Sequence, residues 1–271
     1  MSYRTIVVEL QADRLPAARL TAARALARRF EASLVGMHVM PPPFVPALWE
    51  GGGAVYLGPE IIATQTKAIQ ETNERVKALF EEICGADPAA MWREEEGEPS
   101  RRVAEAARSA DLVITTSAQA ASDAASGLAE GLLTAAGVPV LVLPPNYVGD
   151  GGRTALVGWD GSREATRAIH AALPFLEEAR SVVLCAVGEP AGTGLDDAAL
   201  MLRRHGVQVE PERVNGSDSD AGAVLLARAA THGAELLVMG AYGHTRLREF
   251  VFGGATRDVL GKAVLPALFG S

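Results

Sequence analysis

The sequence predicts an α/β fold laid down twice, and three observations predict it. The same order of short apolar runs and helical patterns occurs in both halves of the chain. The apolar runs are hydrophobic almost throughout, as parallel strands covered by helices on both faces require. A stretch rich in proline and glycine, PPNYVGDGGR at 144–153, separates the halves. Alternating strands and helices imply parallel strands joined by right-handed helical crossovers. The expected domains are therefore 1–146 and 152–271.

In chain order, TIVVEL at 5–10 is a β-branched run, followed by the helical pattern AARLTAARALARRF and a second run, SLVGMHVM at 33–40. An insertion, PPPFVPALWEGGGAVYLGPE at 41–60, comes next. Its prolines, glycines and aromatics Trp49 and Tyr56 predict an ordered loop, either packed on its own half or lying between the halves as a lid. A long helical pattern, TQTKAIQETNERVKALFEE, leads to the acidic run EEEGE at 94–98, read as a solvated strand end rather than a cation site. EPSRRVAEAARSADLVITTS carries a helix into a strand, and GVPVLVLP closes the first half. The second half restarts with TALVGWD at 154–160, then REATRAIHAALPFLEEA and SVVLCAV at 181–187. DAGAVLLARAATHGAELLVMGA and VLPALFGS at 264–271 complete the repeat.

Two units of about 135 residues suit a chain of 271. Hydrophobic residues at 48% and charged residues at 21% describe a chain able to bury two cores. A net charge of −8 argues against general affinity for nucleic acid or anionic membrane, so neither is expected as a partner. The amino-terminal MSYRTIVVELQADRLP turns polar too soon for a secretory signal, and no window approaches the roughly 20 apolar residues of a membrane span. A cytoplasmic location is expected. Cys84 and Cys185 lack metal-ligand spacing and read as reduced core thiols. His38 sits inside an apolar run and reads as a core residue; neither a Ser-His-Asp order nor a His/Cys metal spacing is legible.

The chemistry concentrates at GAYGHTRLREFVFGGATRDVL, which begins at Gly240. Gly240 closes the apolar run ELLVMG, and ligands of open α/β sheets bind outside the carboxyl ends of strands. Further glycines stand at 243, 253 and 254, and GGATRDVLGKA opens the last helical pattern. A helix amino terminus offers unpaired N–H groups and partial positive charge, so a phosphate fits there. His244, Arg246 and Arg248 add charge nearby, although a solvated helix face explains the arginines equally well. No Gly-Lys-Ser or Gly-Lys-Thr follows, and Gly-x-Gly-x-x-Gly is absent. Tight turns, and a helix capped by Asp160, would account for the same residues without a ligand.

The spacing Gly240, Gly243, nine residues, Gly253 is similar to the Gly-x2-Gly-x9-Gly signature of the universal stress protein family. With the doubled element order and the Asp-Gly-Ser of WDGS, the whole chain resembles a tandem universal stress protein. The resemblance implies a five-stranded parallel sheet of order 3-2-1-4-5 in each half, and binding of ATP, AMP or ADP. It implies that Asp160 faces the adenosine part, that Val187 lies near the backbone position reading adenine, and that Met239 and Gly240 border the ribose. Gly243, Gly253, Gly254, Ala255 and Thr256 would line the phosphates. Magnesium accompanying ATP would find Thr256 and Asp160 nearest. Gly254 stands where the family usually has Ser or Thr, so one hydroxyl contact is lost unless Thr256 supplies it.

Aligned on the same pattern, the first half has Thr116, Gln119 and Ser126 in place of the three glycines and Gln11 in place of Asp160. It is expected to hold no nucleotide. The expected function is nucleotide binding in the stress response without dedicated catalysis; the alternatives are a nucleotide-free partner-docking module, whose protein partner the sequence does not name, and a slow ATPase. VPVLVLP and VLPALFGS would be edge strands, and open apolar edges invite aggregation. The halves are therefore expected to pair within the chain as a pseudo-dimer, with Val140 near Ala267. The insertion around Phe44, Trp49 and Tyr56 is the candidate surface for a homodimer.

Overall fold

A computed structural model describes residues 2–11, 16–43, 48–50, 53–55, 59–117, 127–188, 194–217, 219–241 and 254–270. The first half runs β1 (Thr5–Glu9), α1 (Pro16–Phe30), β2 (Ser33–Met40), β3 (Leu48–Glu50), β4 (Gly53–Val55), α2 (Pro59–Cys84), β5 (Ala90–Glu96), α3 (Pro99–Ala107), β6 (Leu112–Thr116), α4 (Leu128–Ala135) and β7 (Val140–Leu143). The second runs β8 (Thr154–Trp159), α5 (Arg163–Leu176), β9 (Ser181–Val187), α6 (Leu195–Arg204), β10 (Val209–Val214), α7 (Ala221–Thr231), β11 (Leu236–Gly240), α8 (Gly254–Lys262) and β12 (Ala267–Gly270). The insertion forms a small antiparallel hairpin, β3 with β4, pairing Leu48 with Val55. Phe44 and Tyr56 lie outside the described residues.

Each half has the expected strand order, β5-β2-β1-β6-β7 and β10-β9-β8-β11-β12. The two five-stranded halves meet through their last strands, as expected, and so form one ten-stranded sheet through β7 and β12. These strands pair antiparallel, with Ala267 opposite Val142, Leu268 opposite Leu141 and Phe269 opposite Val140. The expected neighbours Val140 and Ala267 are thus offset by two residues. The reason for the union is legible in the strands. VLVL and ALFG are buried at every position, so each would expose an apolar edge if left alone. The outer edges are different: AMWREEE of β5 and VEPERV of β10 alternate toward solvent, and Pro211 offers no backbone donor.

Helices cover both faces. One core packs α1, α2, α5 and α6 on the sheet and the other packs α3, α4, α7 and α8. At the seam the ring centroids of Tyr3 and Phe30 lie 5.1 Å apart and those of Phe30 and Phe175 4.8 Å apart, both edge-on. The Tyr3 hydroxyl donates to Ala171 O at 2.5 Å, and burial pushes its pKa far up. Arg29 donates to the carbonyls of Asp150 and Gly152, tying α1 to the connection between halves. Cys84 and Cys185 are unbridged and buried, and burial pushes the Cys185 thiol up to about 11. Among the described residues no helix is long and apolar enough to cross a membrane.

The seam has a direct test. Val142→Cys with Ala267→Cys, in a background lacking Cys84 and Cys185, is expected to close a bond inside one chain and to migrate as an oxidised monomer on a non-reducing gel. A bond found only between chains would contradict the observed register.

Candidate functional site

β8 pairs with β11, and the helices that follow them, α5 after β8 and α8 after β11, pack on opposite faces of the sheet, so a crevice opens between their carboxyl ends. Around those ends stand Asp160 after β8, Val187 closing β9, Met239 and Gly240 closing β11, and Gly254, Ala255 and Thr256 opening α8. Gly243 and Gly253, with His244, Arg246 and Arg248, lie outside the described residues.

Val187 brings backbone chemistry to the crevice. Val182 N donates to Gln208 O and Gly188 N to Val214 O, both across to β10. Main-chain groups alternate sides along a strand, so Val187 directs its N–H and C=O the other way, toward β8. The last rung of that ladder pairs Trp159 with Ala186. That rung is closed by Val187 N–H donating to Trp159 O, so it is the Val187 carbonyl that faces the space just past the end of β8. Asp160 is exposed there, and its Oδ1 accepts from Ser162 N at 2.9 Å. Ser162 itself caps α5, its Oγ accepting from Ala165 N at 3.1 Å. The helix cap is thus Ser162, and Asp160 braces the turn before it.

The glycines divide by the reason each must be small. A Cβ on Gly240 would stand 2.6 Å from Ala165 N and 2.7 Å from Glu164 C. Gly270, its partner in the β11–β12 register, is tighter still, 2.4 Å from Ala168 N. The two form a flat patch on which α5 lies, so the close approach at Gly240 is that of a helix backbone. Gly254 is exposed, its Cβ would meet nothing nearer than Ser219 O at 3.7 Å, and its φ is not left-handed. Beside it, a Cβ on Gly222 would come within 2.8 Å of Ala255 O, so the amino-terminal turns of α7 and α8 lie against one another. Two helix dipoles thus present their positive ends together. Thr256 is 3% exposed, so a phosphate at this helix end meets Gly254 and Ala255 first.

At the opposite end of the sheet, a shallow cavity of about 430 Å³ is lined by Arg180, Ser181, Arg203 and Gly206 among others. It is remote from every residue just named. Among the described residues no group of three or more His, Cys, Asp or Glu side chains is placed to hold a metal.

The matching end of the first half carries a buried polar network that sequence reasoning missed. Glu9 occupies the place of Gly158 and is fully buried; Arg19 is 4% exposed. Arg19 Nε donates to Glu9 O at 2.7 Å, and its Nη2 stands 3.6 Å from Glu9 Oε1. Thr115 Oγ1 donates to Glu9 Oε2 at 3.0 Å, and Gln11 N donates to Glu9 Oε1 at 2.6 Å. The available signal was a carboxylate inside the otherwise apolar TIVVEL. Thr116 and Gln11 are described at this end; Gln119 and Ser126 lie outside the described residues.

One rung further, His38 is 2% exposed and its Nδ1 lies 2.7 Å from Leu10 O. A carbonyl only accepts, so Nδ1 carries the proton. Burial holds the His38 pKa below its ordinary value, against the opposing pull of the Leu10 carbonyl and of Glu9 and Glu94. The folded state resists a proton that the unfolded chain takes below about pH 6.5, so stability is lost as pH falls through that value. Urea unfolding at pH 7.5 and 5.5 is expected to show this loss in the native protein and a smaller one in His38→Gln. An equal loss in both would assign it to other groups.

Residues 191–269 match the model of the universal stress protein family. A search of the curated proteins found no match. Among solved structures, a universal stress protein from Archaeoglobus fulgidus superposes with a TM-score of 0.72 at 17% identity, covering 98% of this chain and 97% of that one. A putative universal stress protein from Pseudomonas aeruginosa gives 0.59 at 16% identity, over 98% and 92%. Residues 191–269 are thus similar to the universal stress protein family, and the chain shares the α/β fold of solved universal stress proteins.

Proposed function

We propose that the second half binds an adenine nucleotide, ATP, ADP or AMP, at the carboxyl end of β8. The observation that carries this is the meeting of three groups at one end of the sheet: the Val187 carbonyl past the last rung of β8 and β9, the exposed Asp160, and the amino terminus of α8. Adenine presents an amino donor, which complements the Val187 C=O. The exposed Asp160 carboxylate suits ribose hydroxyls, which donate to it. Gly254 and Ala255 suit phosphate, through backbone N–H groups of the first turn. Magnesium would arrive with the phosphates, with Asp160 the exposed carboxylate in reach. The role is binding that alters how the chain meets a protein partner, with hydrolysis slow if it occurs.

Isothermal titration with ATP is expected to show close to one site per chain. Gly254→Asp is the sharper test. It places a carboxylate where the helix dipole favours one and where the described structure leaves room, so stability is expected to hold or rise. The same charge repels phosphate, and ATP affinity is expected to fall at least about tenfold, roughly 1.4 kcal/mol. Unchanged affinity in a folded variant would remove the phosphate from this helix end. One observation favours a second reading, a nucleotide-free docking module: Gly240 and Gly270 are already required by the packing of α5. Absence of heat with ATP would select it.

A further inference from the structure

The ladder between β1 and β2 stops one rung earlier than that between β8 and β9, at Glu9 with Met37 against Trp159 with Ala186, so Val39 needs a partner for its N–H as well as its C=O. Ser33 N donates to Arg4 O and Leu10 N to Met37 O, both between β1 and β2. By the same alternation Val39 directs its N–H and C=O toward β1, and β1 pairs only as far as Glu9 with Met37. Val39 is the register equivalent of Val187, since Thr5 pairs with Ser33 where Thr154 pairs with Ser181. Its two groups do not face an open crevice. With its NH2 turned to the carbonyl, the orientation that pairs both polar atoms, the Gln11 carboxamide donates to Val39 O at 3.1 Å and accepts from Val39 N at 3.3 Å.

We propose that Gln11 is a built-in occupant of the base-recognition edge of the first half, an amide standing where a planar base with an adjacent donor and acceptor would stand. The proposal rests on reading Val187 as the base edge of the second half. Gln11 is held for this role from both sides. Its N–H donates to Glu9 Oε1, and its carbonyl oxygen lies 3.5 Å from Arg19 Nη2. The Arg19 guanidinium and the Glu9 carboxylate, both buried, fill the end of β1, where the second half has only Gly158. The second half differs at the deciding atom as well. Asp160 stands in the place of Gln11, and a carboxylate has no hydrogen to offer the Val187 carbonyl. One side-chain exchange, amide for acid, thus closes one edge and leaves the other for a ligand.

Amide hydrogen exchange tests this, with ATP as the added probe. In the nucleotide-free protein the Val39 amide is expected to be protected, and Gln11→Ala is expected to speed its exchange at least about tenfold with the circular dichroism unchanged, Gln11 being only half-buried at a strand end. ATP added to the native protein is expected to give titration heat while leaving the Val39 amide unaltered. Equal Val39 rates in the native protein and Gln11→Ala, or a slowing of Val39 by ATP in the native protein, would overturn the proposal. Absence of titration heat with ATP, with Val39 still released by Gln11→Ala, would instead remove the nucleotide reading of the second half and keep Gln11 as the occupant of Val39.

Discussion

Gly240→Val is expected to destabilise the protein by about 3 kcal/mol, in the upper range of overpacking substitutions, and to lower its Tm by roughly 10 °C. The added carbons enter a space already held by the backbone of α5, with Ala165 N only 2.6 Å from the first of them. A flexible side chain could step aside; a helix backbone moves only as a whole. The helix also lies over β12, so a shift at Gly240 disturbs the contact at Gly270 and, through β12, the seam with β7. Calorimetry without nucleotide separates this from a ligand effect, since the loss is expected in the empty protein. Gly254→Ala is the control, expected within about 1 kcal/mol of the native protein because its site is open. A Gly240→Val protein as stable as the native one would mean that α5 does not sit on β11 as described.

Glu9→Ala is expected to cost about 3–5 kcal/mol, the range for a buried ion pair broken from one side. Arg19 would remain buried with its charge uncompensated, and Thr115 Oγ1 and Gln11 N would lose their acceptor. Most of that loss measures the stranded guanidinium rather than the net worth of the pair. Glu9→Val combined with Arg19→Leu is therefore expected to cost less than Glu9→Ala alone, although it removes more polar contacts. Urea unfolding of the native, single and double variants reads both numbers. A double variant weaker than the single by the full sum of two independent losses would show that the pair stabilises the fold outright.

The two experiments act on opposite halves and on different physics, and the contrast explains the division of labour in the chain. Where the second half keeps glycine at 158 and 240, its strand ends stay slim and its helices approach. Where the first half carries Glu9 and Thr116, the same region is filled by charge and hydrogen bonds.

Much of this was determined by the sequence alone. The α/β class and the doubled plan rest on local periodicity and on apolar runs, signals that neighbouring residues carry together, while the strand order within each half came from the family resemblance. The carboxyl end of β11 was legible for the same reason, because Gly240 closes an apolar run, while Asp160 after β8 and Val187 at the end of β9 were named from the resemblance. VEPERV escaped that reading because an edge strand with proline and alternating charge lacks the apolar run that marks its neighbours. Only the tertiary structure decided the rest. The union of two sheets into one depends on Val140 meeting Phe269, a contact between distant segments whose register no local pattern encodes. The need for glycine at 240 depends on where α5 lands, and the filling of the first half depends on Arg19 folding back onto Glu9 and on Gln11 reaching Val39. Hydrophobic pattern says which face of an element is buried, whereas the identity of the atom it is buried against is settled by packing across the whole fold.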